Sequence, residues 1–246
     1  MRISIELVPR QAEHLQQELQ FIKTHFPSVN TVNIPDLLRL SIRSWEGTAI
    51  SKPYFENSIP HIRAIDFDPD VPMKLLEELH RNRISEILVI TGDAPQDMSR
   101  AVYPTTSIEL IRKIKAASPE TRIYAALDPY RSDVQAEYEY AQRKLDAGAD
   151  GFFTQPFFDL RMMDKYLKLL EPVDTFWGVS PVTSVKSRNY WEVKNKALFP
   201  ADFEPTLEWN IAFGRKALDY AYGSGSNIYF MPIKNDIAAY LTGIFQ

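Results

Sequence analysis

The 246-residue chain contains no cysteine, which excludes disulfides and thiolate metal sites. Histidine is scarce at four, and without an H-E-x-x-H pattern a metal centre has no obvious ligand set. Glycine is scarce too, at nine, with no G-x-G-x-x-G anywhere, so the fingerprint of a dinucleotide-binding doubly wound sheet is missing. No run approaches the ~20 apolar residues of a membrane span. The opening MRISIELVPR reads as a strand and lacks a signal peptide's apolar core. Basic residues carry no surplus, with 28 Lys and Arg against 32 Asp and Glu and a net charge of −4. That balance argues against nucleic acid as the main partner, though not against a small anion held by a few local cations. A cytoplasmic location is the default reading of these absences.

What the chain does have is alternation. Short β-prone runs at Ile3–Val8, Thr31–Ile34, Ile62–Phe67, Glu86–Thr91, Arg122–Leu127, Gly151–Gln155, Thr175–Val179 and Asn227–Met231 are separated by stretches of helical character. In 72–83 the residues Met73, Leu75, Leu76 and Leu79 share a face; in 107–117 it is Ile108, Leu110, Ile111 and Ile114; in 160–170 it is Leu160, Met163, Leu167 and Leu170. A last helix is expected over 236–244. Strands separated by helices imply a parallel sheet, and eight of them at roughly 250 residues imply closure. The expected fold is therefore a single (β/α)8 TIM barrel over residues 1–246. The segment 178–209, with the aromatic pair Tyr190-Trp191, is the longest irregular-looking stretch and a candidate helix or lid over the site.

Barrels of this kind place chemistry at the C-terminal ends of their strands. The first strand alternates Ile3, Ser4, Ile5, Glu6, Leu7, which puts Ser4 and Glu6 on one face. If the apolar face meets the helices, Glu6 faces the barrel mouth, where a carboxylate is costly unless hydrated, paired or useful. Asp66, Thr91-Gly92-Asp93, Asp128 and Thr154-Gln155 end four further runs. Any one strand-end Asp is more often a helix cap or turn former; Glu6, inside a strand, has no such explanation. His61, before the third strand, reads first as a satisfied structural histidine. Arg143-Lys144 read first as a solvated cationic face, and Tyr190-Trp191 as packing.

Longer strings then become recognisable. Arg143 through Asp159, RKLDAGADGFFTQPFFD, resembles the stretch RKxDAGAxxxxTQxFFD of the methylenetetrahydrofolate reductase family. Ser4-Ile5-Glu6 before Pro9 resembles that family's SFEFFPP, Pro60-His61-Ile62 its PHL, Gly92-Asp93 with Pro95 its RGDxP, and Gly178 with Pro181-Val182 its GILPV. The resemblance implies a flavoenzyme that reduces methylenetetrahydrofolate to methyltetrahydrofolate. In such an enzyme FAD takes a hydride from NADH or NADPH and passes it on in ping-pong turnover at one site. It implies that Glu6 is the general acid and that Asp93 lies between flavin and pterin. Gln155 would bond the pterin and Trp191 close over nicotinamide or folate. His61, Glu137, Arg143 and Lys144 would hold the flavin.

Departures accompany the match. Asn33-Ile34-Pro35-Asp36 replaces the family's Thr-Tyr-Gly-Ala, and Thr91 stands for the Arg of RGD. Asp128 stands for a flavin-contacting tyrosine, and Lys234 for an arginine that binds folate or cofactor, where Arg to Lys is not neutral. A folate C1-handling barrel with weak or no flavin, acting as a methyl-transfer or demethylation component, is the rival activity. A non-catalytic subunit is a third reading, and a homo-oligomer is compatible with all three.

Overall fold

The computed structural model describes residues 1–71, 73–95 and 100–246. Eight parallel strands close into a barrel in sequence order: β1 (Ile3–Glu6), β2 (Thr31–Ile34), β3 (Asn57–Arg63), β4 (Glu86–Ile90), β5 (Arg122–Leu127), β6 (Gly151–Pro156), β7 (Asp174–Val179) and β8 (Asn227–Phe230). The described helices are α1 (Ala12–His25), α2 (Ser44–Ser51), α3 (Leu75–Arg81), α4 (Ser107–Ala117), α5 (Val134–Asp146), α6 (Leu160–Leu170), α7 (Val185–Lys194), α8 (Leu207–Ser224) and α9 (Ile237–Phe245). The expected barrel is the fold observed. Among the described residues no helix is long and apolar enough to cross a membrane.

Local chemistry starts the helices where the apolar periodicity begins. Thr106 caps α4 by accepting from Glu109 N–H while the Glu109 carboxylate accepts from Thr106 N–H, at 3.2 and 2.7 Å. Leu110, Ile111 and Ile114 of that helix are wholly buried against the sheet, each worth ~1.5–3 kcal/mol in area removed from water. Asp133 and Asp159 cap α5 and α6 through Ala136 N–H and Arg161 N–H.

Two expectations shift. The sequence pattern puts the third strand at Ile62–Phe67, but the strand pairs from Thr31↔Asn57 on one side to Arg63↔Ile90 on the other. The chain then turns through a 3-10 segment at Ala64–Asp66. His61 is therefore inside β3 and Asp66 lies in the loop beyond it. The segment 178–209 is also less irregular than expected: it contains α7, capped by Ser184, and an aromatic cluster in which Phe158, Phe199 and Phe203 pack with Trp191 and Trp209. The helix expected from residue 72 runs over Leu75–Arg81; Pro72 itself lies outside the described residues.

Inside the barrel, strand alternation sorts side chains into layers. At the N-terminal end the Arg2 guanidinium bonds Glu86 at 2.7 and 3.0 Å and Tyr124 Oη at 3.1 Å, plugging that end. Above it Ile59, Leu88, Tyr124, Phe153, Phe176 and Tyr229 form a buried, largely aromatic layer. Phe153 stacks on Phe176 at 4.2 Å, and Tyr124 meets both rings edge-on at 5.2 and 5.4 Å. Phe153→Ala should remove the centre of this stack and cost ~3–5 kcal/mol, read as a fall in the urea midpoint. A loss below ~1 kcal/mol would show an interior able to collapse around the void.

Candidate active site

The layer above those rings is polar. Glu6 ends β1 and is buried at 7% exposure, opposite Asn33 of β2 in the strand register. Ser4 Oγ–H donates to Asn33 Oδ1 at 2.8 Å, and Asn33 Nδ2–H donates to Glu6 Oε2 at 3.0 Å. The same nitrogen lies 3.1 Å from His61 Nε2. His61 Nε2 is 3.8 Å from Glu6 Oε2. Burial raises the Glu6 carboxyl to about 7, against a smaller lowering by the Asn33 bond. Burial also lowers His61 to about 4, with Asp36 pulling weakly the other way. Around neutral pH the two are thus a carboxyl close to half-protonated and a neutral imidazole, not an ion pair. Tyr229, whose hydroxyl donates to Thr154 O, adds a further un-ionised group: burial, then Glu6, push its phenol well up.

The floor of the mouth lies on the far strands. Ile90, Ala126 and Gln155 are half-buried, whereas the residues just before them, Val89, Ala125 and Thr154, are buried. Alternation turns the three toward the axis at the open end, so an apolar shelf with one amide faces Glu6. Gly178 lets Thr154 O and the Tyr229 ring pack closely against β7. A Cβ there would come within 2.8 Å of Thr154 O and 2.9 Å of the Tyr229 ring.

The β2, β3 and β4 loops form a charged wall. Asp36, at 3% exposure, takes two bonds from Arg43, at 2.9 and 2.5 Å. Arg43 also reaches Asp66 at 2.9 Å. Asp66 accepts from Arg63 Nε at 3.3 Å, and Arg63 Nη2 donates to the carbonyl of Asp93 at 2.5 Å. Gly92 makes this approach feasible: its φ is +88°, and a Cβ would sit 3.0 Å from the Arg63 side chain. The Asp93 carboxylate itself is exposed.

A second cluster sits where α5 meets the end of β5. Glu137, Ala141 and Lys144 are the buried stripe of α5. Glu137 accepts from Arg131 Nε and Nη2 at 2.5–3.0 Å and from the backbone N–H of Asp128 at 3.0 Å. Lys144 Nζ donates to Ala126 O at 2.5 Å. Burial, then the Arg131 charge, lower its ammonium to about 7. Burial raises the Asp128 carboxyl, against the bond from Tyr130 N–H. Arg131, Arg143 and Lys144 all surround the Tyr140 ring, at 4.3, 5.0 and 4.1 Å from its centre.

Of the residues singled out by sequence, Glu6 and His61 meet through Asn33, and Asp128, Glu137 and Lys144 meet around α5 with Arg143 at the edge. Gln155 lies on the floor. Trp191 packs edge-on against Phe158 at 5.7 Å, and Lys234 is exposed after β8 with φ +59°. Asn33, Arg43, Arg63, Arg131 and Tyr229 were missed. Asn33 was visible in principle, because in TVNI it shares a face with Thr31, the same alternation that exposed Glu6.

A (β/α)8 barrel with a buried acid at the end of β1 and, across the barrel at the end of β5, a cluster of cations and carboxylates defines the class. The profile of the methylenetetrahydrofolate reductase family matches residues 49–209, and the chain belongs to that family. Glu6, Asn33 and Lys234 fall outside the matched residues. The 5,10-methylenetetrahydrofolate reductase of Escherichia coli (strain K12) is 26% identical over 147 residues, 58% of this chain and 50% of that protein. The Salmonella typhimurium enzyme is 27% identical over 132 residues, 52% and 45% respectively. The chain thus matches about half the length of these relatives. Among solved structures, a Clostridium thermocellum protein that binds two copies of 5-methyl-5,6,7,8-tetrahydrofolic acid superposes with a TM-score of 0.66 at 13% identity, over 99% of this chain and 94% of that one. A 2,3-dimethylmalate lyase superposes at 0.58 with 10% identity, over 95% and 75%. These two likenesses concern the fold.

Proposed function

We propose that this protein reduces 5,10-methylenetetrahydrofolate to 5-methyltetrahydrofolate, with FAD reduced by NADH or NADPH in a ping-pong cycle at the barrel mouth. The observation that carries the reading is Glu6, a buried carboxyl that holds its proton close to neutral pH. Its proton goes to a nitrogen of the folate's five-membered ring, so that the C–N bond opens to an iminium and Glu6 is left as carboxylate. Asn33 N–H stabilises that carboxylate, and solvent returns the proton after product leaves. Gln155, on the floor, supplies an amide that can bond a pterin's donors and acceptors together. His61, neutral and bonded at Nε2 by Asn33, adds no positive charge that would favour loss of the Glu6 proton before substrate arrives.

The residues present fit a flavin. The shelf of Ile90 and Ala126 suits a flat ring, and the cations around Tyr140 suit a phosphate. When bound, the flavin supplies the hydride acceptor and donor. Lys144 and Arg143 would hold its anionic portion, and Asp93 and Asp128 would border its ring. Asp128 favours the rival reading of a flavin-free folate protein, because a carboxylate there adds negative charge beside Glu137.

The visible spectrum of the protein, incubated with FAD and desalted, tests the reading. Retained flavin bands that bleach with reduced nicotinamide and return on adding methylenetetrahydrofolate are the expected result. An empty spectrum with methyltetrahydrofolate still bound would replace the reductase by the flavin-free reading.

A further inference from the structure

Asn33 lies where three strands meet beneath the mouth, opposite Glu6 in β1 and Ile59 in β3. Its carboxamide offers one acceptor oxygen and two N–H donors, and the three neighbours at bonding distance use all of them. Ser4 Oγ is 2.8 Å from Oδ1, while Glu6 Oε2 and His61 Nε2 are 3.0 and 3.1 Å from Nδ2. We propose that Asn33 is a positioning residue: locked by Ser4, it occupies the inner edge of Glu6 and the Nε2 of His61, so that the acid's proton faces the mouth. This rests on the reading of Glu6 as the acid.

The competing arrangement is the reversed amide. With Oδ1 toward Glu6 and His61, both would donate to it, and the carboxyl proton would be turned inward, away from substrate. Ser4, wholly buried, would then face an NH2 group and lose the acceptor for its hydroxyl, a cost the observed orientation avoids. The observed orientation also serves both charge states of Glu6, because an amide N–H can bond a carboxylic oxygen and bonds a carboxylate oxygen more strongly. His61 consequently carries its hydrogen on Nδ1, and with Nε2 filled by Asn33 it is not in line to take the proton from Glu6. The other groups facing Glu6 and His61 are Tyr229 from β8, un-ionised, and Asp36 from the loop after β2, which is paired with Arg43.

The test begins without substrate, on uniformly 15N,13C-labelled protein. Two-bond 1H–15N spectra should show His61 as the Nδ1–H tautomer, and carboxyl 13C shifts should follow Glu6 through its titration. In Asn33→Leu the Glu6 midpoint should move upward, since a donor to its charged form is gone. With substrate, kcat for folate reduction should fall about tenfold, the equivalent of one charge-assisted hydrogen bond, with KM little changed. The alkaline limb of the kcat profile should move with the midpoint, which a merely structural residue would not cause. Ser4→Ala, a gentler change, should release the amide and yield a mixture of His61 tautomers. An Nε2–H tautomer in the wild-type protein, or an unmoved Glu6 midpoint in folded Asn33→Leu, would overturn the proposal. Should the tautomer and the shift appear in a protein that reduces no folate, the positioning role stands and the reductase reading falls.

Discussion

Glu6→Gln should slow folate reduction by about 10²–10⁴-fold, the usual worth of a positioned acid, while flavin reduction by the nicotinamide stays nearly unchanged. Glutamine keeps an oxygen for Asn33 N–H and loses only the transferable proton. Stopped-flow absorbance at the flavin band separates the two half-reactions, and an equal fall in both would show that Glu6 holds the flavin instead. The same substitution should alter stability with a particular pH signature. Glu6 has its ordinary value of 4.5 in the unfolded chain and about 7 when folded, so its stabilising contribution is complete below 4.5 and is lost as pH rises through 7. By linkage that loss is roughly 3 kcal/mol. His61, ordinarily 6.5 and about 4 when folded, behaves oppositely: its contribution is complete above 6.5 and lost as pH falls toward 4, again by roughly 3 kcal/mol. Between pH 4.5 and 6.5 the two trends offset in the wild-type protein. Removing the Glu6 term unmasks the His61 slope, so the variant should gain stability from pH 4 to 6.5 and hold it at pH 8, where the wild type declines. Urea unfolding at pH 4.5, 6.5 and 8 measures this, and parallel profiles for the two proteins would refute the assigned protonation states.

The barrel was legible because its signals are periodic. Apolar stripes such as Leu110, Ile111 and Ile114 recur at helical spacing, and Ser4 and Glu6 alternate with Ile3 and Ile5, so fold and acid follow from counting. The start of β3 was not legible in the same way. Pro60 cannot donate to a ladder, and the apolar pair Ile62 and Ile65 drew the strand too far along; only the pairing with Thr31–Ile34 moves it back to Asn57. The partners of Glu6 were hidden for another reason. Asn33 becomes meaningful only once the register sets it across from Glu6, and Arg63 only once the Gly92 turn brings the Asp93 carbonyl to its guanidinium. Nothing local in the chain announces contacts between residues 27 or 30 positions apart. The α5 cluster lies between these cases. Glu137, Ala141 and Lys144 follow i, i+4, i+7 spacing, the stripe that should be apolar, so two charges there were a readable anomaly.

That anomaly leads to the last expected result: Lys144→Met should give a more stable protein that binds FAD less well. The Lys144 ammonium is buried at 3% exposure and brought from its ordinary 10.5 to about 7. Burial is the main cause and the nearby Arg131 charge the next. A lysine whose folded value is depressed contributes stability that is complete above 10.5 and is lost as pH falls through 7. Linkage makes the loss at neutral pH on the order of 4 kcal/mol. Methionine fills much of the same volume without a charge to desolvate. It forfeits the bond to Ala126 O, so the net gain should be smaller, about 1–3 kcal/mol. For a chain of this length that is a rise in Tm of roughly 2–4 °C per kcal/mol, and the gain should shrink at pH 10, where the lysine is less costly. A strained cation kept beside Arg131 and Arg143 makes physical sense if an anion arrives to pair with it. A bound phosphate would restore the lysine's charge, and the protein should take up a fraction of a proton per FAD bound at pH 7–8. Loss of one such charge-assisted contact, ~1.5–3 kcal/mol, should weaken FAD binding by about 10–100-fold in Lys144→Met. Calorimetry in two buffers of different ionisation enthalpy reads both quantities. Unchanged FAD affinity, with no proton uptake in the wild type, would mean that Lys144 serves the packing of α5 on β5 and that the flavin's anion lies elsewhere.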